Sequence, residues 1–295
     1  MNKFIYLALS LVSLLSFASC KDDDEQDEKD GKLIYSYNMA DKTASVVGIE
    51  NKYATSVKIP FSTKRIDGEE YIVKSIIDSA FMCCFELKYV EISNSVTEIG
   101  YRAFYGCNFT QINIPNSVTT IGYQAFAECD NLTSVEIPNT VTEVGYRAFS
   151  GCKSITSLVI PISVMKIGDY AFSECKSITS IVIPNKVTKI AEGSFSDCDN
   201  LTSVLIPNTI TVIGNRAFYG CRKLTNINVP NSVTEIGDWA FWNCDGLTYI
   251  EIPNSVTKIG NLAFSGCNNM KKIRVPKGCE VGRDAFSVGC EIEYY

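Results

Sequence analysis

Thirteen cysteines and no histidine set the limits on what chemistry this chain can do. Without an imidazole, Ser-His-Asp and Cys-His nucleophilic catalysis are excluded, as are zinc sites that need a histidine ligand. The sequence holds no glycine-rich phosphate loop and no Cys-x-x-Cys pair. Its carboxylates are spaced by a repeat rather than clustered, so a glycosidase-type pair would have to be assembled across separate segments. The chain is therefore read as non-enzymatic, with no catalytic residue, cofactor or metal site. In an oxidising compartment so many cysteines would normally mean disulfides. Ten of them, however, recur at one repeat position, from Cys84 to Cys290. Stacked in that register, their side chains would run parallel and be poorly aimed for bonding. They are expected to be free and buried, with Cys83 and Cys279 standing off register.

The remaining cysteine has a different setting. A basic start at Lys3 is followed by an apolar run from Phe4 to Phe17, then Ala18 and Ser19 before Cys20. The run is too short to cross a bilayer as a helix and fits a secretory signal over residues 1–19. Phe17-Ala18-Ser19-Cys20 resembles a bacterial lipobox, which implies lipidation of Cys20 as the membrane attachment. Lys21, Asp22, Asp23, Asp24 and Glu25 are similar to the acidic export signal of some Gram-negative surface lipoproteins, which implies the outer face of the outer membrane. Residues 20–31 also read as a self-repelling tether. Residues 21–30 carry a net charge of -5 against -6 for the whole chain, so the body is nearly neutral. A neutral body argues against nucleic acid as a partner.

Positioning in that body comes from one repeated sentence. Residues 132–154 read LTSVEIPNTVTEVGYRAFSGCKS, and 247–269 read LTYIEIPNSVTKIGNLAFSGCNN. Phenylalanine recurs at 81, 104, 126, 149, 172, 195, 218, 241, 264 and 286, and all nine prolines share one position. Leu132, Val135 and Ile137 frame an alternating stretch that predicts a strand with one buried face. Pro138 ends it at a corner, Asn139-Thr140 turns the chain, and Gly145 is expected to permit a tight bend. Ala148, Phe149 and Cys152 fall at i, i+1 and i+4, which predicts a single helical turn facing inward. One such unit cannot bury its own apolar face, so stacking is required.

The LTSVEIPNSVTEIGYRAFSGC unit closely resembles the BspA-like leucine-rich repeat. The resemblance implies a repeat solenoid, a right-handed leucine-rich-repeat coil with a parallel β-sheet on the concave face and short helical turns opposite (β-rich α/β). The departures are one missing residue between Cys107 and Ile114, Ala191 for the glycine, Ser194 for the alanine and Ser93 for the proline. Residues 32–54 read as an N-terminal β-hairpin cap, 55–290 as about ten coils with a protruding loop at Phe61–Tyr71, and 291–295 as a C-terminal edge strand.

Since the repeated positions are structural, function must lie in the variable outward ones. On the strands these include an apolar stripe, Val159, Val182 and Leu205, beside Ser157, Ser180 and Ser203, which is a candidate patch for a protein partner. Opposite, Tyr101, Tyr105, Tyr123, Tyr146, Tyr219, Trp239 and Trp242 form a candidate aromatic surface, the kind that stacks glycans or anchors proteins. The leading expectation is a monomeric, surface-anchored adhesion or recognition protein that binds a protein partner. Family resemblance implies host-matrix, receptor or cellular partners. The alternatives are a glycan-binding lipoprotein of a nutrient-uptake system and a structural envelope component.

Overall fold

The computed structural model describes residues 31–295. Cys20 and Lys21–Glu25 lie outside that range. The described chain is a stack of coils built from two parallel strand ladders and a third side made of turns.

The coil around Phe149 shows the pattern. Its strand Ser134–Glu136 pairs in parallel with Ser157–Val159, residue for residue one repeat on. Alternation sends Val135 and Ile137 into the core and leaves Glu136 exposed. Pro138 accepts the Val141 N–H at 3.0 Å, closing a tight turn at the corner. The chain then enters a two-residue strand, Glu143–Val144, which pairs in parallel with Lys166–Ile167. The same Pro-to-Val turn recurs from Pro115 to Pro253.

The third side departs from expectation. Among the described residues there is no helix, so the short helical turns expected opposite the strands are not there. The backbone donors alternate instead. Arg147, Phe149 and Gly151 give their N–H groups to the carbonyls of Asp169, Ala171 and Ser173 in the next coil, at 2.8–3.0 Å. Ala148, Ser150 and Cys152 close three-residue turns within their own coil. A helix would take all of these donors for itself, whereas a stack needs every second one to join its neighbour. The alternation requires a left-handed residue two positions before the phenylalanine, such as Arg147 at φ 52°, and another two after it, such as Gly151 at φ 76°. Tyr170 and Glu174 occupy the same two positions in the following coil, both at φ 58°.

Gly145 also has a different role from the one expected. It is absent from the left-handed positions, so it serves no special bend. A Cβ there would lie 2.9 Å from the Ile121 carbonyl oxygen, and one at Gly168 would lie 2.8 Å from the Gly145 carbonyl carbon. This column is glycine because consecutive coils touch there backbone to backbone. Ala191 breaks the column. The short-strand ladder runs unbroken to Lys166–Ile167 and resumes at Lys189–Ile190; among the described residues this is its one interruption. The longer-strand ladder also divides at this junction, between Ser157–Val159 and Ser180–Val182.

The core is a column. Ten phenylalanines from Phe81 to Phe286 stack nearly parallel, with ring centroids 5.0–6.0 Å apart. Offset stacking of this kind contributes about 0.5–1.5 kcal/mol per pair beyond area burial. Alongside runs a ladder of thiols. Cys107 donates to the Phe81 carbonyl at 3.1 Å, Cys129 to Phe104 at 3.2 Å, and the series continues to Cys267 and Phe241. The twelve described cysteines are free thiols.

At the N-terminal end Leu33–Asn38 and Thr43–Ile49 form an antiparallel hairpin. Its second strand pairs in parallel with Glu70–Ile76 and so extends the short-strand ladder. Much of the Phe61–Tyr71 stretch, expected as a loop, is itself a hairpin, with Ser62–Lys64 antiparallel to Glu70–Ile76. The last strand, Glu291–Tyr294, pairs in parallel with Lys272–Val275.

Candidate recognition surfaces

Two surfaces carry variable side chains, and the fold puts them on different sides of the coil. On the longer strands Val159, Val182 and Leu205 are 58, 61 and 64 % exposed. Strand alternation forces them outward while Leu158, Ile181 and Val204 point inward. Val182 and Leu205 are paired in register, as are Ser180 and Ser203. Ser157 and Ser180 are exposed and Ser203 is half-buried. The stripe is bounded by charge: Lys58 pairs with Glu91 at 3.1 Å toward one end, and Arg274 bridges Glu251 and Glu293 toward the other.

An open groove of about 800 Å³ also lies on this strand face. The groove runs from Ser56 and Lys58 past Tyr89 and Gln111 to Val159. The stripe therefore begins where the groove ends, and Val182 and Leu205 lie beyond it. The groove mixes polar and apolar side chains that differ from coil to coil.

On the turn side the aromatic residues occupy the positions that flank the phenylalanine column, and they do not form one flat row. Arg102 lies over Tyr101 at 4.9 Å and Tyr105 at 5.3 Å from the ring centroids, with its Nε on Gln124 at 2.8 Å. Tyr123 meets Tyr146 edge-on at 6.1 Å, and Tyr146 meets Tyr170 at 6.3 Å. Arg147 lies over both Tyr146 and Tyr170. Tyr219 stacks on Trp242 at 4.6 Å, and Arg216 covers Trp239 at 4.6 Å. Glu192, which sequence reasoning did not single out, ties the last two groups together. It accepts the Tyr170 hydroxyl at 2.8 Å and Arg216 at 3.3 Å. Burial, then the Glu192 contact, pushes the Tyr170 phenol above its usual range. Tyr101, Tyr123 and Tyr146 are exposed, while Tyr105, Tyr219, Trp239 and Trp242 are half-buried.

The same coil geometry recurs in known proteins. The profile of the BspA type leucine rich repeat region matches residues 74–202 and 188–295, in six copies. The chain belongs to this BspA type repeat family. Among solved structures, a leucine-rich repeat protein from Eubacterium ventriosum is 22% identical, with 80% of this chain and 74% of that one aligned at a TM-score of 0.53, a likeness of fold. A leucine-rich repeat protein from Bacteroides ovatus is 25% identical over 93% of this chain and 100% of its own, at a TM-score of 0.38. A leucine rich cell surface protein from Faecalibacterium prausnitzii is 26% identical, covering 90% of this chain and 96% of its own, at a TM-score of 0.37. No curated protein matches. Within this chain the proline, phenylalanine and cysteine positions recur from coil to coil, and both candidate surfaces are built from positions that vary.

Proposed function

We propose that this protein is a surface-anchored, non-enzymatic recognition protein that holds a protein partner against the strand face of its solenoid. The observation that carries this reading is the stripe of Val159, Val182 and Leu205, three aliphatic side chains more than half exposed on consecutive coils. A soluble surface has no reason to keep such a row dry-facing and in register, and a charged border around an apolar centre is the usual anatomy of a protein contact. The fold supports the same use, since a rigid stack presents side chains from many coils along one extended concave surface.

Anchoring follows from the sequence. The lipid on Cys20 holds the chain to the membrane, and Lys21–Glu25 direct it to the outer face, leaving the acidic tether to carry the solenoid clear of the bilayer. Metabolic labelling with a palmitate analogue tests the first step: label should appear in the wild type and vanish in Cys20→Ser. The contact itself is tested by changing Val159, Val182 and Leu205 to serine together. These side chains are outward, so the fold should survive while partner capture is lost.

A further inference from the structure

The turn side holds a cleft of about 380 Å³, within the range of small-molecule sites. It exists because one coil is undersized. Between Tyr170 in one coil and Arg216 in the next but one, the equivalent position is Gly193, while Ser196 repeats the serine of the coil before and faces Tyr219 in the coil after. The same coil also carries the departures Ala191 and Ser194. Tyr170 leans across the space: a Cβ on Gly193 would lie 2.3 Å from its ring. Trp239 and Trp242 close the far side.

What lines the cleft is unusual in being unengaged. The Asp197 carboxylate makes no hydrogen bond and no ion pair among the described residues, although Lys176 and Arg222 lie close enough to pair with Asp199. Burial, then the charges of Glu174 and Asp199, pushes its carboxyl above the usual range. Ser196, also lining the cleft, is only 5 % exposed. The Tyr219 hydroxyl and both indole N–H groups are likewise unused. Arg216, by contrast, is already neutralised by Glu192.

These observations select a ligand class. An anion would face the Asp197 charge. A simple cation would leave the Tyr219 hydroxyl and the indole donors idle. An apolar ligand would cover the half-buried Asp197 carboxylate without giving it a partner. A polyhydroxylated ring offers both donors and acceptors at its edge and an apolar C–H face to the aromatic walls. We propose that this cleft binds one or two neutral pyranose units of a glycan. The site is separate from the strand-face stripe and does not rest on the reading given to that stripe.

Trp239 and Trp242 are the only tryptophans in the chain, so intrinsic emission reports on this cleft alone. The test titrates the purified protein with maltotriose, cellotriose, xylotriose, mannotriose and chitotriose, and separately with tri-lysine and tri-arginine. At least one trisaccharide should shift the emission saturably, with a Kd of about 1 mM or tighter. Calorimetry should then show that Asp197→Asn, which suits a left-handed backbone and keeps the fold, weakens that sugar about 10-fold or more, while Val182→Ser leaves it unchanged. Emission that responds to none of the five sugars, or only to the basic peptides, overturns the proposal, as does equal sugar affinity in Asp197→Asn.

Discussion

The thiol of Cys175 donates to the carbonyl oxygen of Phe149, one coil back, at 3.3 Å. That same carbonyl already accepts the backbone N–H of Cys152 at 3.3 Å. One oxygen thus closes a turn in its own coil and ties on the next, and the pattern repeats along the ladder. Cys175→Ala removes the second bond and leaves a small void in a fully buried site. The expected cost is about 1–3 kcal/mol, read from the urea midpoint. A loss of under a few tenths of a kcal/mol would mean that the thiol merely fills space.

Alkaline pH should unfold this protein early. Burial, the dominant cause, pushes the thiols of Cys107, Cys129, Cys175, Cys221 and Cys244 well above their ordinary value, and that of Cys267 up to about 12. A folded-state pKa above the unfolded one means that the unfolded chain loses its protons first. Stability is then complete below about pH 9 and falls as pH rises toward 12, each thiol adding up to about 1.4 kcal/mol per pH unit to the slope. Urea melts at neutral pH and near pH 10 should differ by several kcal/mol, and Cys175→Ala should shallow the decline. A flat profile across that window contradicts the buried-thiol account.

Ala191→Gly reverses the usual sign. Replacing alanine with glycine normally destabilises by roughly 0.5–1 kcal/mol. Here the substitution restores the column's glycine beside the break between Lys166–Ile167 and Lys189–Ile190; on the view that the extra methyl keeps these coils apart, the ladder should close and the melting temperature should rise. The mirror test is Gly168→Ala, which places a methyl against the Gly145 backbone and should cost about 1–3 kcal/mol. Calorimetry on the pair decides: a lower melting temperature for Ala191→Gly removes the explanation of the gap.

Phe172→Ala should divide the molecule. Its ring sits between Phe149 at 5.6 Å and Phe195 at 5.8 Å, among the wider spacings of the column, at the interface where the short-strand ladder is interrupted. Losing it should cost about 3–5 kcal/mol. Because coils contact only their neighbours, the damage should separate unfolding into two transitions. A single transition of unchanged width would show that cooperativity passes through the other two sides of the coil.

The coil itself was legible in the sequence because proline, phenylalanine and cysteine each hold one register, and strand alternation told inside from outside at Val135 and Glu136. The turns were misjudged as helical because Ala148, Phe149 and Cys152 have helical spacing; only the neighbouring coil reveals that Phe149 gives its N–H to Ala171. Gly145 was misread for the same reason, since the contact that demands glycine is with Ile121, one coil away. The outward stripe could be read because one strand's alternation places each of its members. The cleft could not, because it draws on four coils and opens beside the missing side chain at Gly193.

The most direct test of the central claim is partner capture by the strand face. Wild-type protein and the variant with Val159, Val182 and Leu205 all changed to serine are immobilised side by side, after melting curves confirm equal stability, and exposed to the same mixture of surface and extracellular proteins. The account predicts that a partner held saturably by the wild type is lost from the triple variant and retained by Trp242→Ala. Equal capture by the wild type and the triple variant would contradict it.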